Sequence, residues 1–275
     1  MTDNQTVQAY TDAWTQSIES ISELLAPLPT DAWNRATECP GWSVRDVVSH
    51  IIGVESELLG DPRPIHALPR DLRHVTNEFT RYMELPVDKR RCHTPIELTS
   101  ELEYTVIRRS RALRNARYGP TDLVRWPAGP LSREVPYATL LLLRAFDVWV
   151  HEQDLRRALQ EPGNLDSPAA VVTRDWLIKS LPQQVAKEAG APISSTVVFD
   201  VSGALPFERT VRIGADGTGS MDESAAADPD VKLSMDWQTF VRLCCGRVHP
   251  ETALVNVVGD QELGLRVLAH LSSTP

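Results

Sequence analysis

Ala145-Phe-Asp-Val-Trp-Val-His-Glu-Gln-Asp-Leu155 lies inside a longer run, from about Tyr137 to Gln160, that holds no proline or glycine and closes at Pro162-Gly163. Nothing in the run interrupts a helical ladder, and a stop signal follows its end, so it reads as one long helix. Asp147 and His151 are four positions apart. A helical turn rises about 5.4 Å and stacks positions i and i+4 on one face, so both side chains can point at one cation. Carboxylate and imidazole suit zinc and other divalent ions. Without a metal the same two residues make an i,i+4 ion pair, worth ~0.2–0.5 kcal/mol.

Working towards the N-terminus, Tyr10, Trp14, Ile18, Ile21 and Leu25 recur three and four apart, the stripe of a helix over Val7–Leu25 that Pro27 and Pro29 end. Ser43 reads as an N-cap with Asp46 three residues on, opening a helix from Val44 to about Leu59. Its apolar face carries Val47, Ile51, Val54 and Leu58, with His50 on the same side. A shorter helical piece is expected over Leu72–Met83. Thr94-Pro95 reads as N-cap and first residue of another helix, running to about Tyr118 and closed by Gly119-Pro120. Trp126-Pro-Ala-Gly-Pro reads as a turn. Four substantial helices predict a helix bundle, whose core is where metal sites are built from facing helices. His50 facing Asp147 and His151 makes three protein ligands with an open position, the catalytic pattern. Asp46 and Asp154 are rival carboxylates.

Towards the C-terminus the pattern changes. Ala169–Lys187, Trp237–Cys244 and Glu262–Leu271 read as helices, while Ser195–Val201, Arg209–Ile213 and Val231–Met235 are rich in β-formers. Gly214-Ala-Asp-Gly-Thr-Gly reads as a hairpin turn. The expected organisation is a bundle over residues 1–163 and a smaller α+β domain with an antiparallel sheet over residues 164–275.

Composition narrows the function. The 275 residues carry a net charge of −9, which argues against non-specific nucleic-acid binding. No apolar run approaches the roughly 18 residues of a membrane span, and the polar start Met1-Thr-Asp-Asn-Gln lacks the layout of a signal peptide, so a cytoplasmic protein is expected. The four cysteines, Cys39, Cys92, Cys244 and Cys245, show no Cys-x-x-Cys spacing. The Gly214–Gly219 loop is followed by neither Lys-Ser/Thr nor a helix start, and no Gly-x-Ser-x-Gly is present, so phosphate-loop and hydrolase-elbow readings fail. Arg108, Arg111, Arg114 and Arg117 read first as a solvated helix face paired with Glu101 and Glu103, and second as an anion site. Trp42, Trp126 and Trp149 are candidates for pocket walls or for core. His66, His74, His93, His249 and His270 find no ligand partner by spacing.

Thr37-Glu-Cys-Pro-Gly-Trp-Ser-Val-Arg-Asp-Val-Val-Ser-His-Ile51 resembles the first signature of the mycothiol-dependent maleylpyruvate isomerase family, part of the DinB-like group of metal-binding four-helix bundles. Asp147-Val-Trp-Val-His-Glu-Gln-Asp-Leu-Arg-Arg-Ala-Leu159 is similar to its second signature, and Phe240-Val-Arg-Leu-Cys-Cys-Gly-Arg247 with Val258-Gly-Asp260 to its C-terminal domain. The resemblance implies a divalent metal, zinc first, held by His50, Asp147 and His151. The family's usual ligand pair is Glu-x3-His, and Asp147 here replaces the Glu. It implies mycothiol as the thiol cosubstrate, with Arg247 at a position that serves thiol or substrate binding; otherwise Arg247 is a cation favourable at a helix C-terminus. A coordinating cation deprotonates a thiol, and the thiolate is the nucleophile. None of the chain's own cysteines is placed in that role. Within the family the expected activity is S-transfer or thiol exchange onto an electrophilic small molecule. Cis–trans isomerisation of a maleylpyruvate-type substrate is the first alternative, and a non-catalytic binding or regulatory protein the second.

Overall fold

Trp14, Ile18, Ile21 and Leu25 are all buried along one stripe of the first helix, α1 (Asp3–Leu25). The computed structural model describes residues 3–127, 129–223 and 226–272. The chain divides into two compact units, Met1–Val172 and Thr173–Pro275.

In the first unit, α2 (Val44–Leu58) opens as its sequence dictates: the Asp46 carboxylate accepts from the Ser43 backbone N–H (2.9 Å) and hydroxyl (2.8 Å). Val44, Val47, Val48, Ile51 and Ile52 are buried on it. The next helix, α3 (Glu78–Arg90), starts later than the expected Leu72. The reason is a reciprocal cap at Asn77, whose side chain accepts from Thr80 N (2.9 Å) while Thr80 Oγ1 accepts from Asn77 N (3.0 Å). It also runs through Pro86, which has no N–H for the carbonyl four residues back. That carbonyl, of Tyr82, instead accepts from Arg63 Nη2.

Thr94 and Glu97 cap α4 (Pro95–Asn115) in both directions, Thr94 N donating to Glu97 Oε2 at 2.7 Å and Glu97 N to Thr94 Oγ1 at 3.3 Å. A hairpin of β1 (Leu123–Trp126) and β2 (Arg133–Pro136) brackets the expected turn, of which Ala128 lies outside the described residues. It leads into α5 (Tyr137–Leu159), which ends at Gln160 in the left-handed region, φ 62°. Within this unit α1 packs along α5 and α2 along α4, and the two pairs touch to close a four-helix bundle, with α3 against α2.

The division between units falls within α6 (Pro168–Gln183), which continues as a π-helical turn over Gln184–Glu188 just past Pro182. The second unit is built on β3 (Thr196–Ser202), β4 (Phe207–Ile213), β5 (Gly219–Asp222) and β6 (Val231–Asp236), then α7 (Trp237–Cys244), β7 (Asn256–Gly259) and α8 (Gln261–Ala269). The strand order is β5-β4-β3-β6-β7. The β3–β4, β4–β5 and β6–β7 pairs are antiparallel, as expected of the sheet. One pair, β3–β6, is parallel, because β6 returns on the side of β3 away from β4, with Val197 opposite Val231. Buried Val231, Leu233 and Met235 alternate with half-exposed Lys232 and Ser234 in β6, the period of a sheet with one face against the core. Trp237, Phe240, Leu263, Val267 and Leu268 complete the apolar interior. No described helix is long and apolar enough to cross a membrane.

Candidate metal centre

His50 comes from the middle of α2, and Asp147 and His151 from successive turns of α5. The bundle brings them together: His50 Nε2 lies 3.6 Å from Asp147 Oδ2, His151 Nε2 lies 3.7 Å from Asp147 Oδ1, and the imidazole centroids are 4.8 Å apart. One donor atom from each falls within 4.8 Å of the others. Both histidine side chains are 6 % exposed, whereas the Asp147 side chain is 29 % exposed, so the cluster meets solvent at the carboxylate.

The electrostatics separate the three. Burial pushes the His50 imidazole below its usual range, against the pull of Asp147, so it is held neutral. Both of its ring nitrogens are buried and make no hydrogen bond to a described residue. Burial alone would raise the Asp147 carboxyl, but the Arg144 guanidinium and the two histidines outweigh it and hold it well below the usual carboxylate range. Two imidazoles, one ionised carboxylate and an orphaned pair of buried nitrogens fit a divalent cation, and three such donors leave a coordination position open.

Asp147 is itself tethered. Arg144, one turn earlier, donates Nη1 to Asp147 Oδ2 at 2.9 Å and Nε to Glu55 Oε1 at 2.9 Å. Glu55 also accepts from Trp14 Nε1 (3.0 Å) and Arg109 Nε (3.0 Å). Burial raises the Glu55 carboxyl, yet Arg144 and Arg109 together bring it below its ordinary value. The sequence reading missed Arg144 and Glu55. Their spacing on α5 and α2 was visible, but partners 54 and 89 residues apart are joined only by the bundle.

Of the three tryptophans, Trp42 alone stands beside the histidines, its ring centroid 5.0 Å from that of His50 and 6.1 Å from that of His151. Its indole N–H donates to buried Glu84 (2.8 Å), which also pairs with His74 (2.9 Å). The preceding Gly41 has φ +77° and lies so close to His74 that a Cβ would come within 2.2 Å of its Nδ1. Trp149 is core, its indole donating to Asn164 O (2.9 Å), and Trp126 lies in the hairpin beneath Arg133. Asp46 serves the α2 cap and Arg91, leaving it out of the cluster, whereas Asp154 contacts His151.

The arginines of α4 pair differently from expectation. Arg108 forks onto Asp61 (2.7 and 2.8 Å) and Arg109 turns inward to Glu55, while Glu101 is taken by Arg90. In the second unit, Arg247 follows a Schellman stop on α7: Arg247 N bonds Arg242 O (2.7 Å), Gly246 N bonds Leu243 O (3.2 Å), and Gly246 has φ +65°. The Arg247 guanidinium donates to Cys245 O at 2.7 Å, the contact of a helix-end cation.

The family model described as the mycothiol maleylpyruvate isomerase N-terminal domain matches residues 14–156, and that described as the MDMPI C-terminal domain matches residues 166–266. Crystal structures of the mycothiol-dependent maleylpyruvate isomerase and of a histidine-to-alanine variant of it share the fold, each with a TM-score of 0.56 and 16% identity over 91% of this chain and 92% of that chain. No sequence among the curated proteins matches. The N-terminal family model alone takes in more than half of the residues, and the chain belongs to the mycothiol maleylpyruvate isomerase family.

Proposed function

We propose that the protein is a metal-dependent, mycothiol-using cis–trans isomerase of a maleylpyruvate-type substrate. The observation that carries the site is the buried His50–Asp147–His151 set with both nitrogens of His50 unpaired. The family matches over both units favour isomerisation above the S-transfer expected first from the sequence.

His50, Asp147 and His151 would hold a divalent cation, zinc by donor chemistry. Such a cation supplies acidity, allowing a thiol at the open position to ionise near neutral pH. Arg144 keeps Asp147 ionised and fixes one of its oxygens, so the shorter carboxylate offers the other oxygen in a set direction. Trp42 walls the two imidazoles on one side and limits water there. In the proposed reaction the mycothiol thiolate bonds to one carbon of the cis double bond and the displaced electron pair moves onto the conjugated carbonyl oxygen as an enolate; the carbon–carbon bond, now single, rotates, and return of that pair expels the thiolate, leaving substrate mass unchanged. Arg247 is assigned to binding of the thiol or the substrate carboxylate.

The test is incubation of the protein with mycothiol and maleylpyruvate. The expected product has unchanged mass and the trans configuration. A stable thiol adduct would replace the reading by S-transfer, and no turnover with metal bound would favour a binding protein. Arg247→Ala should raise KM for the thiol with kcat and Tm nearly constant; a fall in Tm with unaltered kinetics would leave Arg247 as a helix cap only.

A further inference from the structure

His151 shows its two nitrogens to different neighbours. Nε2 points to Asp147, while Nδ1 is hydrogen-bonded to Asp154 Oδ2 at 3.1 Å. Asp154 is one turn further along α5 and has no exposed surface. The same Oδ2 accepts from the Cys39 thiol (3.3 Å), and Oδ1 accepts from Arg157 Nη2 (2.9 Å). Arg157 in turn reaches Glu38 at 2.7 Å, so α5 and the Glu38-Cys39 segment before α2 meet on this carboxylate.

An ionised carboxylate only accepts, so the nitrogen facing it must carry the proton. A neutral imidazole with its proton on Nδ1 has its lone pair on Nε2, on the side of Asp147 and His50. His50 has no such partner.

We propose that Asp154 is a positioning residue. It holds His151 in the Nδ1–H tautomer, with Cys39 and Arg157 holding Asp154 in turn, and so sets the affinity of the centre for its cation. The proposal rests on the reading that His50, Asp147 and His151 bind a divalent metal. Carboxylates behind histidine ligands act in this way, and their loss typically weakens metal affinity about 10–100-fold. Cys39, His151 and Asp154 also lie close enough to hold an ion of their own. The positioning role predicts that they do not, because the Nδ1 proton occupies the lone pair such an ion needs.

The full chain, stripped of metal, is examined by long-range ¹H–¹⁵N imidazole spectra and then titrated with zinc against a competing chelator. Wild type should show His151 as the Nδ1–H tautomer and bind one equivalent, and His50→Ala should lose it. Asp154→Asn should bind roughly 10–100-fold more weakly and lose the fixed tautomer, with helical content retained. Cys39→Ser, which keeps a donor, should stay near wild type. An Nε2–H tautomer in wild type overturns the proposal without any variant. So does wild-type affinity in Asp154→Asn while His50→Ala loses the metal. A second equivalent that Cys39→Ser abolishes overturns it too, making the three residues a separate site. Equal zinc binding by wild type and His50→Ala would defeat the metal reading instead, and the tautomer comparison would still decide whether Asp154 orients His151.

Discussion

The two units bury different things. Among the described residues, the helical unit buries Asp46, His50, Glu55, Glu84, Arg90, Arg109, Arg144, His151, Glu152 and Asp154. Among the described residues of the sheet unit no charged side chain is buried; the buried polar groups there are Thr173, Gln184, Ser195, Thr210 and Thr239. Buried charge is costly unless paired, so a bundle that carries this much of it is organised around pairing. The sheet unit is organised around apolar contact, with Phe240 against Phe207 and Trp237 at 5.2 and 6.0 Å. The difference teaches where chemistry is built. Metal donors need neighbours that hold them ionised or neutral in a fixed direction, and among the described residues the helical unit is the one with such neighbours in its interior.

The sharpest way to break this contrast is Glu55→Ala. It strands Arg109 in the core, leaves Arg144 with Asp147 alone, and should cost about 3–5 kcal/mol of stability, read by urea unfolding. Asp200→Ala, which removes one of two exposed partners of Lys232 in the sheet unit, should shift the same curve too little to resolve. Equal losses would erase the distinction.

Acid should separate the units next. His50 is held below its usual 6.5, so in the metal-free chain its contribution is complete above pH 6.5 and is lost as pH falls towards its lowered value. Glu55 and Asp147 are held below 4.5 and 3.8, so their contributions are present above those values and are lost on further acidification. In the sheet unit the depressed carboxyl is Asp216, in an exposed turn. Segment-resolved hydrogen exchange, corrected for intrinsic rate, should show α1, α2 and α5 losing protection before β3 and β6 as pH drops. Simultaneous loss would mean the buried charges do not govern the bundle's stability. A smaller loss than that of Glu55→Ala is expected in the sheet unit at Gly246→Ala, where the left-handed backbone should cost roughly 1–2 kcal/mol and lower Tm without altering metal content.

Much of the bundle was legible because local signals agreed with the fold. The Ser43–Asp46 and Thr94–Glu97 caps and the stripe of α1 are written within four residues of each other, and a helix needs nothing more distant. The start of α3 was misread because Asn77–Thr80 is a less familiar cap, and the group that satisfies Tyr82 O is Arg63, across a loop. The short strands β1, β5 and β7 have four residues each, too few for alternation to register. At the site, His50, Asp147 and His151 followed from helical spacing and the family resemblance. The groups around them did not follow. Glu55, Arg109 and Arg144 meet through space, and Asp154 was read as a competitor for the cation rather than a partner of His151.

The chain from Trp14 through Glu55 and Arg144 to Asp147 constrains how this sequence can drift. A lone loss of Glu55 takes from Arg109 its carboxylate partner and leaves Arg144 with Asp147 as its remaining one, so positions 55, 109 and 144 should be inherited as a block. Arg144 sits where it tethers a short carboxylate; a longer glutamate at position 147 would carry its oxygens past that tether. Asp at 147 and Arg at 144 should therefore travel together among relatives, and lineages with Glu at 147 should be free to vary at 144. The apolar positions of the sheet unit carry no such linkage, and each can change alone so long as it keeps its volume.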